Sequence, residues 1–137
     1  MSSGSPDKFY ITTPIYYPNG EPHLGHVYTT ICADTIARYH RLAGHDTFLL
    51  TGTDEHGIKM VKTAEKEGME PRQLADKNVA VFEQAWKELE VTHDDFIRTS
   101  SERHKKAVQH IVHILVDNGD IYLGAYEGWY DEGQEEF

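Results

Sequence analysis

Two short runs of β-branched and aromatic residues, each closed by proline or glycine, most restrict the folds open to this chain. Residues 9–13 read Phe-Tyr-Ile-Thr-Thr before Pro14, and residues 47–51 read Thr-Phe-Leu-Leu-Thr before Gly52. Between them, apolar residues recur at three- and four-residue spacing up to Gly44, the pattern of a helix with a glycine at its end. A strand, a helix and a second strand in this order predict a parallel βαβ unit, and hence an α/β fold.

The following residues extend this pattern. Residues 58–67 and 71–89 are predicted to be helical, and residues 95–99 and 102–118 are predicted to form a third strand and a further helix. The second of these four segments carries a stripe of core residues: Leu74, Val79, Phe82 and Trp86. From Gly119, short β-like pieces at 121–123, 125–126 and 129–130 alternate with glycines. We therefore predict a flexible leader at 1–7, a sheet domain at 8–118 and the start of a β-rich region at 119–137.

Composition limits the classes of function. With 137 residues, 39% of them hydrophobic, the chain can bury one core. The net charge of -10 disfavours a general nucleic-acid binder, but residues 117–137 hold seven acidic residues and no Lys or Arg. The single cysteine, Cys32, excludes a disulfide framework and fits the cytoplasm. No apolar run approaches the roughly 20 residues of a membrane-spanning helix, so no membrane partner is expected.

The segment His23-Leu24-Gly25-His26 lies where a proline-rich loop meets the first predicted helix. Free backbone N–H groups and the positive end of the helix dipole make this a favourable position for a phosphate. Two imidazoles three residues apart fall on one helix face, and Gly25 allows a flat ring or a phosphate to approach the backbone. The pair could donate hydrogen bonds to a nucleotide phosphate during attack on it, or could be two ordinary polar residues near a helix cap.

A second candidate segment, Thr51-Gly52-Thr53-Asp54-Glu55-His56-Gly57, follows the second strand. Loops after parallel strands share one sheet edge, so this segment is predicted to lie beside the first. Its two glycines would let a ligand approach the backbone, and the carboxylate of Asp54 suits an ammonium group. Asp54 could instead only cap the following helix.

Together these segments resemble the N-terminal catalytic part of the methionyl-tRNA synthetases, a family of class I aminoacyl-tRNA synthetases. His23-Leu24-Gly25-His26 is similar to the signature usually quoted as His-Ile-Gly-His, and the resemblance runs on to Tyr126-Glu127-Gly128-Trp129-Tyr130. It implies the first half of a doubly wound, Rossmann-like sheet of the HUP type, with the start of a connective insertion at the C-terminal end. The implied activity is methionine–tRNA ligation through methionyl-adenylate, with methionine, ATP and tRNA(Met) as partners and Mg²⁺ accompanying ATP.

The resemblance also implies individual roles. His23 and His26 would be catalytic, stabilising the α-phosphate of ATP while the methionine carboxylate attacks it. The implied ATP-binding set is Thr12, Asn19, His23, Gly25 and His26. Methionine would be bound by Pro14, Ile15, Tyr17 and Asp54, of which Asp54 would hold the α-ammonium group.

Two features depart from the family pattern. Many members begin a zinc knuckle with two cysteines where this chain has Asp131 and Gln134, so no zinc or other metal site is predicted. The chain also ends before the second half of the nucleotide fold and its Lys-Met-Ser-Lys-Ser loop, so we expect a fragment with weak or missing activity. Strands without their partners would leave an open sheet edge, and self-association is expected.

Two alternatives remain at this stage. The isolated chain could be a non-catalytic remnant or interaction module that keeps part of a methionine or ATP pocket. It could also be a small nucleotidylyltransferase that uses the same His-x-Gly-His loop. The second segment and the aromatic run at 126–130 favour the synthetase, because a nucleotidylyltransferase requires neither.

Overall fold

A computed structural model of the chain describes residues 6–131. Its centre is a parallel sheet of three strands in the order β1-β2-β3, formed by β1 (Lys8–Thr12), β2 (Asp46–Thr53) and β3 (Asp95–Arg98). Lys8 pairs with Asp46, and Leu50 pairs with Asp95. The predicted α/β class, the three strands and the parallel pairing of the first two are confirmed.

Four helices complete the described elements. They are α1 (Leu24–Leu42), α2 (Ile58–Glu67), α3 (Pro71–Glu88) and α4 (Glu102–Asp117). Local chemistry explains their ends: Gly44 follows α1 with φ +88°, Gly68 caps α2 with φ +67°, and Pro71 occupies the first turn of α3. In the part of the chain described, no helix is both long enough and apolar enough to span a membrane.

The core is built where the helices cover the sheet and one another. Ala33 and Ala37 of α1 pack on Leu49 of β2, and Met60 and Ala64 of α2 pack on α3. The four residues predicted as the core stripe of α3 are all buried: Leu74, Val79, Phe82 and Trp86. This packing fixes the ends of the strands, and hence the loops that follow them.

The chain forms two compact units, Met1–Lys105 and Lys106–Phe137. The second holds most of α4, after which residues 120–130 form neither helix nor strand. The β-like pieces predicted at 121–123, 125–126 and 129–130 are therefore wrong. Their residues favour strands, but a strand forms only when another pairs with it, and no such pairing is made by residues 120–130.

Two further predictions concern the ends of the chain. Of the predicted leader at 1–7, residues 1–5 lie outside the described residues, while the Asp7 carbonyl accepts a hydrogen bond from the Asp46 amide at 2.9 Å. The prediction of no zinc rests on Asp131 and Gln134, and Gln134 also lies outside the described residues. β1 is the first strand in the sheet order, and the self-association of this edge stays a prediction.

Candidate functional site

The loops after β1 and β2 are joined to each other at the carboxyl edge of the sheet. Tyr16, in the first loop, forms an isolated parallel bridge with Thr53. Its amide donates to the Gly52 carbonyl at 3.1 Å, and its carbonyl accepts from the Asp54 amide at 2.9 Å. The two candidate segments are therefore neighbours, as the sequence predicted.

His23 and His26 cap the start of α1 reciprocally. His23 is the N-cap residue: its Nδ1 accepts a hydrogen bond from the Gly25 amide at 3.1 Å, while its own amide donates to Nδ1 of His26 at 3.2 Å. The two rings stack with centroids 3.7 Å apart, so both imidazoles lie on one face of the helix as predicted. Two backbone N–H groups that have no intrahelical partner are thereby satisfied by the histidines.

This arrangement fixes which tautomer each ring adopts when it is neutral. A nitrogen that accepts a hydrogen bond carries no proton, so each neutral imidazole keeps its proton on Nε2. Burial, together with the nearby His23, holds the pKa of His26 below its usual value of 6.5. Nε2 of each ring is therefore available as an N–H donor at the positive end of a helix dipole.

A cavity of about 580 Å³ lies against this helix start. It is lined by Ile15, Tyr16, Tyr17, Asn19, Gly20, Glu21, His23, His26 and Lys59. Five predicted site residues are thus brought together: Ile15, Tyr17, Asn19, His23 and His26. The residues that line the cavity within 6–131 do not include the other four, which are Thr12, Pro14, Gly25 and Asp54.

Helix α3 packs against the first loop and supports it. Tyr16 is buried against Phe82 and Trp86, and its hydroxyl hydrogen-bonds with Thr30 of α1 at 3.0 Å. Asn78 donates from its amide nitrogen to the Pro18 carbonyl at 2.7 Å in a buried contact. The His26 ring lies 4.6 Å from the Tyr16 ring and 5.4 Å from the Phe82 ring, measured between centroids. The proline-rich loop is therefore fixed by the core.

Asp54 is half-buried beside the cavity and is joined to it through Tyr16. Its Oδ1 accepts hydrogen bonds from the His56 amide at 3.3 Å and from the Thr99 hydroxyl at 3.4 Å. Asp54 therefore bonds to groups on the loops after β2 and β3, and it does not cap α2, whose N-cap is Gly57 with no side-chain hydrogen bond.

Gly52 and Gly25 each have a structural reason beside the predicted approach of a ligand, which stays a prediction. A Cβ on Gly52 would lie 2.0 Å from the Ile97 carbonyl oxygen, so the neighbouring strand by itself requires glycine at this position. A Cβ on Gly25 would lie 3.0 Å from the His23 ring. Gly25 therefore makes room first for His23 itself.

Sequence reasoning missed two residues at this edge. Lys59, in the first turn of α2, lines the cavity with its Nζ 5.8 Å from the centroid of the Tyr17 ring. Glu55 is buried in a network of polar side chains although its neighbours in sequence gave no sign of it. Lys59 could have been predicted to lie near the site from its position, one residue into the helix after the second segment. Glu55 had no such feature in the sequence. Among residues 6–131, no group of three His, Cys, Asp or Glu side chains is placed to hold a metal ion.

Comparison with known families matches residues 9–137 to the family described as tRNA synthetases class I (M). The chain is similar to the methionine–tRNA ligase of Brucella suis biovar 1 (strain 1330), with 54% identity over 133 residues, which are 97% of this chain and 26% of that protein. It is 53% identical to the corresponding ligase of Bacillus subtilis (strain 168) over 131 residues, which are 96% of this chain and 20% of that protein.

The fold is similar to solved structures as well. A structure of Mycobacterium tuberculosis methionyl-tRNA synthetase in complex with methionyl-adenylate matches with a TM-score of 0.91 and 42% identity. The match covers 96% of this chain and 26% of that one. The chain thus spans between a fifth and about a quarter of the length of these relatives.

Proposed function

The chain belongs to the class I tRNA synthetases, in the methionyl (M) group, and from this membership we propose that it supplies the first part of a site that activates methionine with ATP. Its α/β fold is that of the Rossmann-like catalytic domains of this class. The proposed activity of the whole protein is methionine–tRNA ligation. The observation that carries the proposal is the pair of imidazoles with fixed Nε2 donors in one cavity with Tyr17 and Asn19.

In the proposed reaction, a carboxylate oxygen of methionine attacks the α-phosphorus of ATP. A new O–P bond forms, the bond to the β-phosphate oxygen breaks, and the products are methionyl-adenylate and pyrophosphate. Negative charge grows on the α-phosphate oxygens in the transition state. His23 and His26 would donate to those oxygens from Nε2, and such preorganised donors are worth about 3 kcal/mol each in comparable sites.

The amino acid would be held by residues of the two joined loops. Ile15 and Tyr17 line the cavity and would contact the methionine side chain, because an aromatic ring packs well on a polarizable thioether. Pro14 would contribute backbone to the same pocket. Asp54 would pair with the α-ammonium group, which suits a carboxylate held by hydrogen bonds beside the cavity.

ATP would lie along the start of α1. Asn19 lines the cavity there, and Thr12 and Gly25 are proposed as further nucleotide neighbours. Lys59 adds a positive charge to the same cavity wall. Mg²⁺ would accompany the triphosphate of ATP.

tRNA(Met) would be the final acceptor, and the whole protein would act in the cytoplasm. The name methionine–tRNA ligase of the Brucella and Bacillus relatives supports the assignment of tRNA(Met) as the acceptor.

Exchange of labelled pyrophosphate into ATP tests the proposal, measured with the protein at its full encoded length. Exchange should depend on methionine and should fall about 100-fold in His26→Ala, the usual loss when one oxyanion donor is removed. Exchange that depends on another acceptor would favour a nucleotidylyltransferase. Absence of any exchange, with methionine still bound, would favour the non-catalytic remnant.

Calorimetric titration with methionine tests the amino-acid side of the site. Asp54→Asn should weaken binding at least about 30-fold, because an unpaired ammonium group loses about 2 kcal/mol or more. Asp46→Asn is the matched control, since Asp46 is exposed at the opposite end of the same strand. Equal binding by Asp54→Asn and the wild type would exclude Asp54 as the ammonium partner.

A further inference from the structure

Glu55 follows Asp54 directly and is the most enclosed carboxylate beside the site. Its side chain is 1% exposed. Oε1 accepts hydrogen bonds from the Thr53 hydroxyl at 2.9 Å and from Nε of Arg98 at 2.5 Å, and Oε2 accepts from the second Arg98 nitrogen at 3.1 Å. The Ser100 hydroxyl also donates to Oε2. Each oxygen of the Glu55 carboxylate therefore accepts two hydrogen bonds.

Arg98 is the last residue of β3 and joins this carboxylate to α3. Its guanidinium makes a two-point contact with Glu55 and donates to Asp76 Oδ1 at 2.5 Å. Two-point pairing of arginine with a carboxylate fixes direction as well as distance. Burial alone would raise the pKa of Glu55, but the hydrogen bonds from Arg98, Ser100 and Thr53 outweigh it and hold that pKa below 4.5. Glu55 is therefore charged at neutral pH.

The backbone of Glu55 continues this network to Asp54. The Glu55 amide donates to the Thr99 hydroxyl at 2.8 Å, and that hydroxyl donates to Asp54 Oδ1 at 3.4 Å. The Thr99 amide donates to the Thr53 carbonyl at 3.2 Å. The loop that carries Asp54 is thus attached to the loop after β3 by backbone and side chain alike.

We propose that Glu55 and Arg98 are positioning residues that orient the Asp54 carboxylate toward the α-ammonium group of the amino-acid substrate. The inference rests on the role of Asp54 under the proposed function. The hydrogen bonds from His56 and Thr99 both engage Oδ1, and Oδ2 is the oxygen assigned to the ammonium. Without the ion pair, the loop that presents Asp54 keeps its hydrogen bonds to Thr99 but loses its side-chain contact with Arg98 of β3, so the carboxylate is held less closely in its direction.

The alternative is that the ion pair only stabilises the fold, and substrate analogues separate the two roles. Methioninol keeps the ammonium group of methionine, whereas 4-(methylthio)butan-1-ol lacks it and is otherwise the same. A positioning role predicts that Glu55→Gln weakens competitive inhibition by methioninol about tenfold or more, since displacement of about 1 Å has effects of this size. Inhibition by 4-(methylthio)butan-1-ol and the KM for ATP should stay unchanged.

Two further variants complete the design, all in the protein at its full encoded length. Arg98→Lys keeps the charge but loses the two-point contact, so it should show the same selective loss and decides the matter if Glu55→Gln does not fold. Asp76→Asn is the control: it removes the outer, half-exposed partner of Arg98 and leaves the contact with Glu55. Both compounds should inhibit this variant as strongly as they inhibit the wild type.

The outcomes separate this inference from the proposed function. Equal loss of inhibition by both compounds, or no loss with either, in a folded Arg98→Lys protein overturns the positioning role. If Asp54→Asn itself leaves inhibition by methioninol unchanged, the ammonium assignment fails, and the inference fails with it. If Asp54→Asn loses that inhibition while Glu55→Gln and Arg98→Lys keep it, only the positioning role is wrong.

Discussion

The backbone amide of His23 donates its hydrogen bond to Nδ1 of His26, 3.2 Å away, so the second histidine of the motif caps the first. The return contact runs from the Gly25 amide to Nδ1 of His23 at 3.1 Å. The start of α1 therefore depends on the same two rings that are proposed to contact ATP. Protonation of Nδ1 on either ring would break a cap and change the charge presented to the phosphate.

His26 is expected to titrate below pH 6.5 and to exist as the Nε2-protonated tautomer above its pKa. Burial disfavours its charged form, and the neighbouring His23 imidazole disfavours it further. The folded state binds this proton less readily than the unfolded chain, so its stability should decrease as the pH falls below 6.5. Nitrogen-15 NMR of the imidazole reports the pKa of His26 and its tautomer. A midpoint at or above 6.5, or a proton on Nδ1, would contradict the capping geometry.

Asn78→Ala should destabilise the protein and disturb the first loop. The Pro18 carbonyl loses a buried donor at 2.7 Å, and an unsatisfied buried group costs about 1–3 kcal/mol. Urea unfolding gives the stability, and hydrogen exchange of residues 13–23 gives the loop opening. Gln84→Ala is the control on the exposed face of the same helix, where the Gln84 side chain donates to Glu88 at 2.9 Å. Equal stability of the two variants would mean that α3 does not hold the loop.

Gly52→Ala should be strongly destabilising, and Gly20→Ala should not. The added methyl group at position 52 would meet the backbone carbonyl of Ile97 at 2.0 Å, so β2 and β3 must separate. Overpacking of this kind costs about 1–3 kcal/mol or more. Nothing lies within 4 Å of the same atom at Gly20. Thermal unfolding of both variants checks the contrast, which a Gly52→Ala protein as stable as the wild type would refute.

Asp34→Asn should lower stability at neutral pH and leave it nearly unchanged in acid. Asp34 accepts from the Thr92 amide at 2.7 Å and from Arg38 Nε at 2.7 Å. Burial would raise its pKa, but the hydrogen bonds from Thr92 and Arg38 outweigh it and hold that pKa below 3.8. The stabilisation is therefore present above pH 3.8, where it is worth about 2 kcal/mol, and is lost as the pH falls below it.

Unfolding by urea at pH 7 and at a series of pH values below 3.8 measures this difference, which should shrink steadily as the pH falls. Glu67→Gln serves as the control, because the Glu67–Lys77 pair is solvent-exposed and such pairs contribute little. A pH-independent loss in Asp34→Asn would show that the amide cannot replace the carboxylate for reasons of shape and not of charge.

Local patterns were sufficient to predict most of the fold. The helix predicted at 58–67 has the observed bounds of α2, and the one predicted at 71–89 differs from α3 by one residue. Proline, glycine and apolar spacing act over a few neighbouring residues, and these are visible in the sequence. The same reasoning failed at 121–130, where strand propensity lacked a pairing strand.

The candidate site was predicted only in part, because its support comes from distant residues. The two histidines and the adjacency of the loops follow from short motifs and from the geometry of parallel strands. Glu55 could not be recognised, since Arg98 and Ser100 are 43 and 45 residues away from it and meet it only after β3 has paired with β2. Lys59 differs in this respect, because its position at the start of the helix after the second segment places it near the site.

Because Gly52 lies so close to Ile97, the segment at 51–57 is constrained in two independent ways. One is the packing of Gly52 against β3, and the other is the proposed contact of Asp54 with the substrate. Position 52 is closed to every side chain by the neighbouring strand, although no ligand is assigned to it. In a survey of random substitutions it would appear as intolerant as Asp54, for an unrelated reason. In such a survey, loss of solubility would identify the residues of this segment that the fold requires. Loss of turnover in soluble protein would identify those that the proposed reaction requires.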